Sequence, residues 1–477
     1  MNNNPIPLCV DLDGTLLNSD LLLEAALAQL KQAPLSVWQW PRWLAAGKAR
    51  LKAEIADRVQ LDIETLPYHL ELLAFLREQK AQGRCLVLVT ASHRRFADRV
   101  AEQLDLFDRV LATDSEHNLA GRRKAETLVE LYGERGFDYA GNATVDLAVW
   151  RHARRALVVN AAPALMARAS AVCEVERVFA RPASPWRQWL RALRLYQWLK
   201  NVLIFMPLAA GHALNQPDKL LLGILAFLSF GLCASSAYLL NDLLDLSADR
   251  RHPRKRSRPF AAGQLPIAHG IAAVPLLLGM AFGLSLWVDS PYFSVILAGY
   301  YVFTLAYSLR LKRVLMLDTI VLAGLYTLRI MAGAAAVSIL PSFWLLAFSM
   351  FLFLSLALVK RYSELWSLRE QGELRASGRG YHVDDLNLLQ NLGGAAGYLA
   401  VLVLALYVNS EASRALYEHP TVIWLLCPVL LYWISRVWLI AHRGEMHDDP
   451  IIFTLTDRHS RLMLLVCVLI VLCALPK

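Results

Sequence analysis

Two acidic groups in this 477-residue chain have spacings that suit phosphorus chemistry. The first is Asp11-Leu12-Asp13-Gly14-Thr15, directly after the short apolar run Leu8–Val10. Two carboxylates one residue apart, at the end of a buried parallel strand, lie at the sheet edge where ligands bind. One can attack phosphorus while the other carries a proton to the leaving oxygen. Companions follow in order. Thr90 ends the run VLVT and can bind a phosphoryl group, and Lys124 precedes a helical stretch and can neutralise phosphate charge. Asp146, beyond the strand end Tyr139–Gly141, can help hold Mg²⁺.

The second group is Asn241, Asp242, Asp245 and Asp249. Steps of three and four place the aspartates on one helical face, continuous with an apolar span before them. Each would cost up to ~3 kcal/mol at bilayer depth if unpaired. A divalent cation bridging to a diphosphate offsets that cost, and so does pairing with the basic run Arg250–Arg258 at a solvated helix end.

The elements that must carry these groups differ in kind. Residues 1–180 read as α/β: Leu8–Val10, Cys85–Val89 and Ala156–Asn160 are strand-like, with helical patterns between them. A proline-containing linker, Arg181–Pro185 within residues 181–190, precedes a change of composition. Residues 191–477 are dominated by long apolar segments in a chain that is 56% hydrophobic and 19% charged. Nine candidate spans lie near 198–213, 219–241, 266–287, 292–309, 314–337, 342–360, 391–408, 420–441 and 461–475.

Basic residues alternate between the loops. Arg250 to Arg258, then Arg310, Lys312 and Arg313, then Lys360, Arg361, Arg369, Arg375 and Arg379, then Arg443 and Arg458 fall on one side; the other has little beyond Lys219 and Arg414. The positive-inside rule then puts the N-terminal domain and these loops in the cytoplasm and the C-terminus outside. The net charge of +9 is thereby assigned to membrane topology and anionic substrates, with no role for nucleic acid. The seven cysteines form no CxxC, as expected for buried thiols of a reducing compartment or the bilayer. No cleavable signal peptide is visible, because Asp11 and Asp13 interrupt the first apolar stretch.

On its ordered motifs, the stretch 8–160 resembles the haloacid dehalogenase superfamily of the DxDGT phosphatase type. The resemblance implies a Rossmann-like α/β fold with a helical cap near Leu21–Ala81. It makes Asp11 the nucleophile and Asp13 the acid/base, gives Thr90 and Lys124 the phosphoryl group, and has Asp11, Asp13, Asn142 and Asp146 serve Mg²⁺. The chain departs from the pattern at Asn142, where an acid is common, and so brings less charge to the metal. A catalytically dead docking domain is the alternative.

The stretch NDLLDLSADRRHPRKRSRPFAAG, from Asn241 to Gly263, resembles the first motif of the UbiA superfamily of intramembrane prenyltransferases. This implies an all-α polytopic domain of about nine transmembrane helices over residues 186–477. Aromatic prenyltransferases of that family carry a second DxxxD pair. Here Asp318 stands alone, with Val314 and Leu322 at the flanking positions, amid Arg310, Lys312, Arg313, Arg329, Lys360 and Arg361. A cationic side suits a second anionic substrate. The stretches Gln197–Asn201, Tyr307–Asp318, Leu328–Gly333 and Lys360–Glu364 resemble the bacterial decaprenyl-phosphate phosphoribosyltransferases.

The expectation is therefore a Mg²⁺-dependent enzyme of the bacterial inner membrane that moves 5-phosphoribose from 5-phosphoribosyl 1-diphosphate (PRPP) to a polyprenyl phosphate. Its phosphatase-like domain would dephosphorylate the lipid-linked product. Asp242 and Asp245 would be catalytic, and Asp242, Asp245, Asp249 and Asp318 would serve the metal. Asn241, Lys200, Arg258, Arg310, Lys312, Arg329, Lys360 and Arg361 would bind substrate. The alternatives are an aromatic prenyltransferase, disfavoured by the lone Asp318, and a non-catalytic membrane anchor, disfavoured by the intact Asn241/Asp242/Asp245/Asp249 set.

Overall fold

The computed structural model describes residues 6–114, 117–180, 185–374, 379–446 and 449–475. The linker residues 181–184 and Arg375 lie outside the described residues. The chain forms two compact units. One contains the residues up to Leu193 together with Tyr238–Pro275; the other contains Arg194–Ala237 and the residues from Leu276 onward.

The first unit is built on a six-stranded, wholly parallel sheet. Its strands are β1 (Leu8–Val10), β2 (Leu86–His93), β3 (Arg109–Thr113), β4 (Asp138–Gly141), β5 (Arg155–Val159) and β6 (Glu174–Phe179), in the order β3-β2-β1-β4-β5-β6. The central strands are apolar runs because both faces are covered. β1 is buried throughout, with Leu88 and Ala140 on either side of Val10. That register brings Asp11, Thr90 and Gly141 to one edge. Helix α1 (Leu21–Gln32) follows the DxDGT motif. Asp20 caps it by accepting from the Leu23 amide at 3.0 Å, and its inward face includes Leu21, Ala25 and Leu27, but also Glu24.

The stretch expected as a cap is helical, with α1, Trp40–Ala45, Lys48–Arg58 and Leu70–Ala81, and the last of these packs Phe75 against Phe179 of β6. Residues Tyr238–Pro275 belong to this same unit: the end of the helix Pro217–Leu244, the short helix Leu246–Arg251, a 3₁₀ turn at Lys255–Ser257 and the start of Ile267–Trp287.

In the second unit, aromatic and aliphatic side chains of Leu317–Ala336, Phe343–Glu370, Leu386–Val408 and Leu426–His442 share one core, including Tyr326, Phe353, Tyr362, Val401, Ile434 and Trp438. Small residues let these helices approach closely. A Cβ on Gly393 would lie 2.0 Å from the Trp438 ring, so only glycine fits there.

Among the described residues, seven helices are long and apolar enough to span a bilayer, where the sequence suggested nine. The first expected segment is instead a 3₁₀ run, Leu195–Phe205, followed by the short helix Met206–Ala210. Pro207 brings no amide donor, and Gly211 closes that helix. The last segment is a single helix of 17 residues, Arg458–Ala474.

Candidate active sites

The phosphatase-like site assembles at the carboxyl edge of β1, β2 and β4. Asp11, Thr90, Lys124 and Asp146 are all buried. The Lys124 ammonium donates to Asp11 Oδ1 at 2.6 Å and to the Tyr139 hydroxyl at 3.0 Å. Tyr139 in turn donates to Asp146 Oδ1 at 2.9 Å, and Asp146 Oδ2 accepts from the Asn142 and Ala143 amides, each at 2.9 Å. Asn142 takes part through Oδ1, which accepts from Thr15 at 3.2 Å. Gly14 has φ +75°, and a Cβ there would strike the Asn142 amide nitrogen at 2.1 Å, so the turn requires glycine.

Asp13 is held differently from Asp11. Its Oδ1 accepts from the Leu21 amide at 2.9 Å, and its Oδ2 from Ser92 at 2.6 Å and Thr90 at 3.5 Å. Burial pushes the Asp11 carboxyl up to about 6 despite the pull of Lys124. Burial, reinforced by the charge of Asp20, pushes Asp13 up to about 7. A carboxylate paired with a cation beside one that exchanges protons near neutrality could divide the labour that phosphoryl transfer through a phosphoaspartate needs.

The second carboxylate group straddles a helix break. Asn241 and Asp242 lie in the last turn of Pro217–Leu244, Asp245 sits at the junction, and Asp249 lies in Leu246–Arg251. The backbone ladder survives the break: the Asp245 amide donates to the Asn241 carbonyl at 2.9 Å and the Asp249 amide to the Asp245 carbonyl at 2.8 Å. The expected common face is therefore kept, although the helix is not continuous. Arg258 Nη1 bridges Asp242 Oδ1 at 3.1 Å and Asp249 Oδ2 at 2.6 Å. Lys31 Nζ lies 2.5 Å from Asp245 Oδ1. Arg250 forks onto Glu24 with contacts of 2.8 and 2.7 Å, both partners buried, and donates to the Ala261 carbonyl at 2.9 Å. Arg251 pairs with Asp62 at 2.8 Å.

Both carboxylate groups offer oxygen donors, the chemistry Mg²⁺ prefers. Among the described residues, no three His, Cys, Asp or Glu side chains already converge as a metal cage. Cations stand among the carboxylates instead.

Apart from Arg258, the basic residues singled out as substrate-binding lie in the second unit, and all but two of these are held by buried partners. Lys200 and Lys360 share Asp449 Oδ2, at 2.7 and 3.0 Å. Burial would raise this carboxyl, but the two ammoniums hold it well below its usual range. Arg329 is buried. It donates to Asn201 Oδ1 at 3.0 Å, the Tyr300 hydroxyl at 3.0 Å and the Leu325 carbonyl at 2.6 Å, with the Phe230, Tyr300 and Tyr326 rings around it. Arg361 is fully buried, 2.8 Å from Asp318 Oδ2, and also pairs with Glu364. Tyr381 donates to Asp318 Oδ1 at 2.5 Å. Asp318 is thus tied to a guanidinium and a phenol. The exceptions are Arg310, exposed, and Lys312, half-buried, in the turn around Leu311–Arg313.

Several participants escaped sequence reading. Ser92, two residues after Thr90, was not singled out, and Tyr139 was noted only as the start of the strand end before Asp146. Asp449 lies in a polar stretch, GEMHDDP, that reads as an ordinary loop. Lys31 and Glu24 lie on a helix with no motif, and only tertiary structure brings them to Asp245 and Arg250.

Two family models match the chain, one of them across both units. The model of the UbiA prenyltransferase family matches residues 202–378, and that of haloacid dehalogenase-like hydrolases matches residues 8–148. The chain is 36% identical to an uncharacterized protein, y4nM, of Sinorhizobium fredii, over 95% of this chain and 88% of that one. It is 38% identical to nodulation protein NoeC of Azorhizobium caulinodans, over 60% of this chain and 91% of that protein. It is 35% identical to decaprenyl-phosphate phosphoribosyltransferase of Mycobacterium tuberculosis, over 43% of this chain and 70% of that enzyme.

Proposed function

Because this multi-pass membrane protein belongs to the UbiA prenyltransferase family and carries a haloacid dehalogenase-like hydrolase domain ahead of it, we propose that it transfers 5-phosphoribose from PRPP to a polyprenyl phosphate and then dephosphorylates the product. One observation carries the choice of acceptor: Lys200 and Lys360, two ammoniums sharing one buried carboxylate oxygen of Asp449. Such a pair is prepared for an anion, and a lipid phosphate can take the carboxylate's place. An aromatic acceptor has no use for it. The name of the mycobacterial relative supports the same reading.

In this reading Asp242, Asp245 and Asp249 would hold Mg²⁺, and Asn241 would orient the diphosphate. When bound, the ion neutralises the leaving diphosphate. Arg258 releases carboxylate oxygens and turns to the phosphate groups. Lys200 and Lys360 hold the lipid phosphate, with Arg310 and Lys312 available to the 5-phosphate. Arg329 and Arg361 fix the shape of the cationic wall, and Asp318 positions Arg361. As the bond from the anomeric carbon to diphosphate breaks, positive charge develops on the ribose ring. A lipid phosphate oxygen then forms the new bond. That oxygen is already anionic, so no general base is needed, and positioning with electrostatics supplies the rate.

The transferred sugar keeps its 5-phosphate. Asp11 would attack that phosphorus, Asp13 would protonate the departing ribose oxygen, and Mg²⁺ would be held by Asp11, Asp13, Asn142 and Asp146. The short linker keeps the second reaction at high effective concentration. The basic loops support a bacterial inner-membrane enzyme with a cytoplasmic N-terminal domain and an extracytoplasmic C-terminus.

The test is to incubate membranes with PRPP and polyprenyl phosphate, with and without Mg²⁺, and to analyse the lipids by mass. The wild type should yield dephosphorylated lipid-linked ribose, and Asp11→Asn should accumulate the phosphorylated form. No ribosylated lipid from either would reject the transferase assignment. The same phosphorylated lipid from both would reject only the coupled phosphatase.

A further inference from the structure

We propose that Lys31, on the helix that follows the phosphatase motif, is a positioning residue of the transferase carboxylate site, holding Asp245 in place of the divalent ion until that ion arrives. The inference rests on the reading that Asp242, Asp245 and Asp249 bind a divalent cation.

Three carboxylates on one stripe repel one another, and each needs a positive partner before the metal binds. Arg258 supplies that partner to Asp242 and Asp249. Lys31 supplies it to Asp245 at 2.5 Å. The two cations do not have equal freedom. Arg258 touches two carboxylates, whereas Lys31 reaches Asp245 from the last turn of α1, on a four-carbon stem, with a side chain still 30% exposed. A compact ammonium on a flexible stem can retreat into water without moving its helix.

The helix itself is fixed. Glu24, two turns before Lys31, forms the buried fork with Arg250, and Ser19 donates to the same carboxylate. At the other end the Leu21 amide is bonded to Asp13 and Asp20 caps the helix. The base of Lys31 is therefore set by the phosphatase domain while its tip is free to yield. A merely structural surface pair would need no such anchoring. The carboxylates stay ordered and partly neutralised when empty, and the entering ion must displace one ammonium.

The test uses Mn²⁺ alone, whose paramagnetism reports binding without turnover. It is titrated into the full-length protein carrying Asp11→Asn and Asp13→Asn, so that the phosphatase motif adds no signal. In that background Lys31→Met should tighten Mn²⁺ about three- to fivefold, the scale of a partly exposed ion pair. Lys31→Arg, which keeps the charge, should restore the weaker binding, and Asp245→Asn should lose the site. Unchanged or weaker Mn²⁺ binding in Lys31→Met overturns the placeholder role while loss in Asp245→Asn leaves the carboxylate reading intact. Mn²⁺ binding that survives Asp245→Asn overturns both.

Discussion

Replacing Gly263 by alanine would test the packing of the segment after the carboxylates against the loops at Asn18 and Pro67. Gly263 has φ +66°, and its absent Cβ would lie 2.6 Å from Asn18 Cβ, 2.8 Å from the Asn18 carbonyl oxygen and 3.0 Å from Pro67 Cβ. The first two are below any real contact distance, and one is to backbone that cannot rotate away. Asn18 is itself pinned, since its side chain accepts from Asn160 at 2.8 Å and its amide donates to the Pro67 carbonyl at 2.8 Å. The left-handed conformation costs alanine roughly 1–2 kcal/mol. Overpacking adds about 1–3 kcal/mol. Relief requires the loop to lift, so local opening should become easier by about 2–5 kcal/mol, roughly 30- to several thousand-fold. Hydrogen exchange reads this directly at the amides of Ala262, Gly263 and Gln264, which donate to the carbonyls of Arg258, Phe260 and Pro259 at 2.9, 3.1 and 2.8 Å. Gly279, in the helix Ile267–Trp287 with open space around its Cβ position, is the control: alanine there should leave exchange unchanged. Wild-type protection of the three amides in Gly263→Ala would refute the reasoning.

Asp242→Asn should abolish transfer in a protein that still folds and inserts, because Arg258 keeps Asp249 as a partner; near wild-type transfer by the purified variant would contradict the metal role. Asp449→Asn strands two ammoniums together, so it should lower the KM for polyprenyl phosphate while PRPP binding changes little; a raised lipid KM would mean that Asp449 aids substrate rather than keeping its place. For the phosphatase step, Asp13 is raised to about 7, so its acid form is present below that value and lost above it. Hydrolysis of a phosphate monoester should therefore fall on the alkaline side, and a flat profile there would remove Asp13 as the acid.

Much of both sites was legible because their chemistry is local in sequence. Asp11 and Asp13 follow a strand that reads as buried from three residues, and Thr90, Lys124 and Asp146 come in the order in which the parallel sheet brings them to one edge. The steps between Asp242, Asp245 and Asp249 predict a shared face, which the structure keeps across a helix break that no proline or glycine announces. Two strands were missed. Both β3 and β6 are sheet edges, and their residues, RVLAT and EVERVF, are not the continuous apolar runs that mark the centre. Among the described residues seven of the nine expected spans are long apolar helices, and the other two segments are the 3₁₀ run Leu195–Phe205 and the 17-residue helix Arg458–Ala474. Partners far apart in sequence were not legible at all. Glu24 and Arg250 are 226 positions apart, and nothing in either neighbourhood names the other.

The Glu24–Arg250 fork has a consequence for how the chain enters its membrane. Arg250 lies between two bilayer-length helices, Pro217–Leu244 and Ile267–Trp287, while Glu24 lies in a domain synthesised some two hundred residues earlier. An ion pair buried within one unit cannot have a bilayer between its halves. The segment joining these helices must therefore remain on the side where the phosphatase domain folds. Insertion of this hairpin in the opposite sense would leave a buried Glu24 facing an empty socket, at a cost of about 3–5 kcal/mol for a broken buried pair. The same contact that fixes the helix carrying Glu24 therefore also penalises a reversed hairpin.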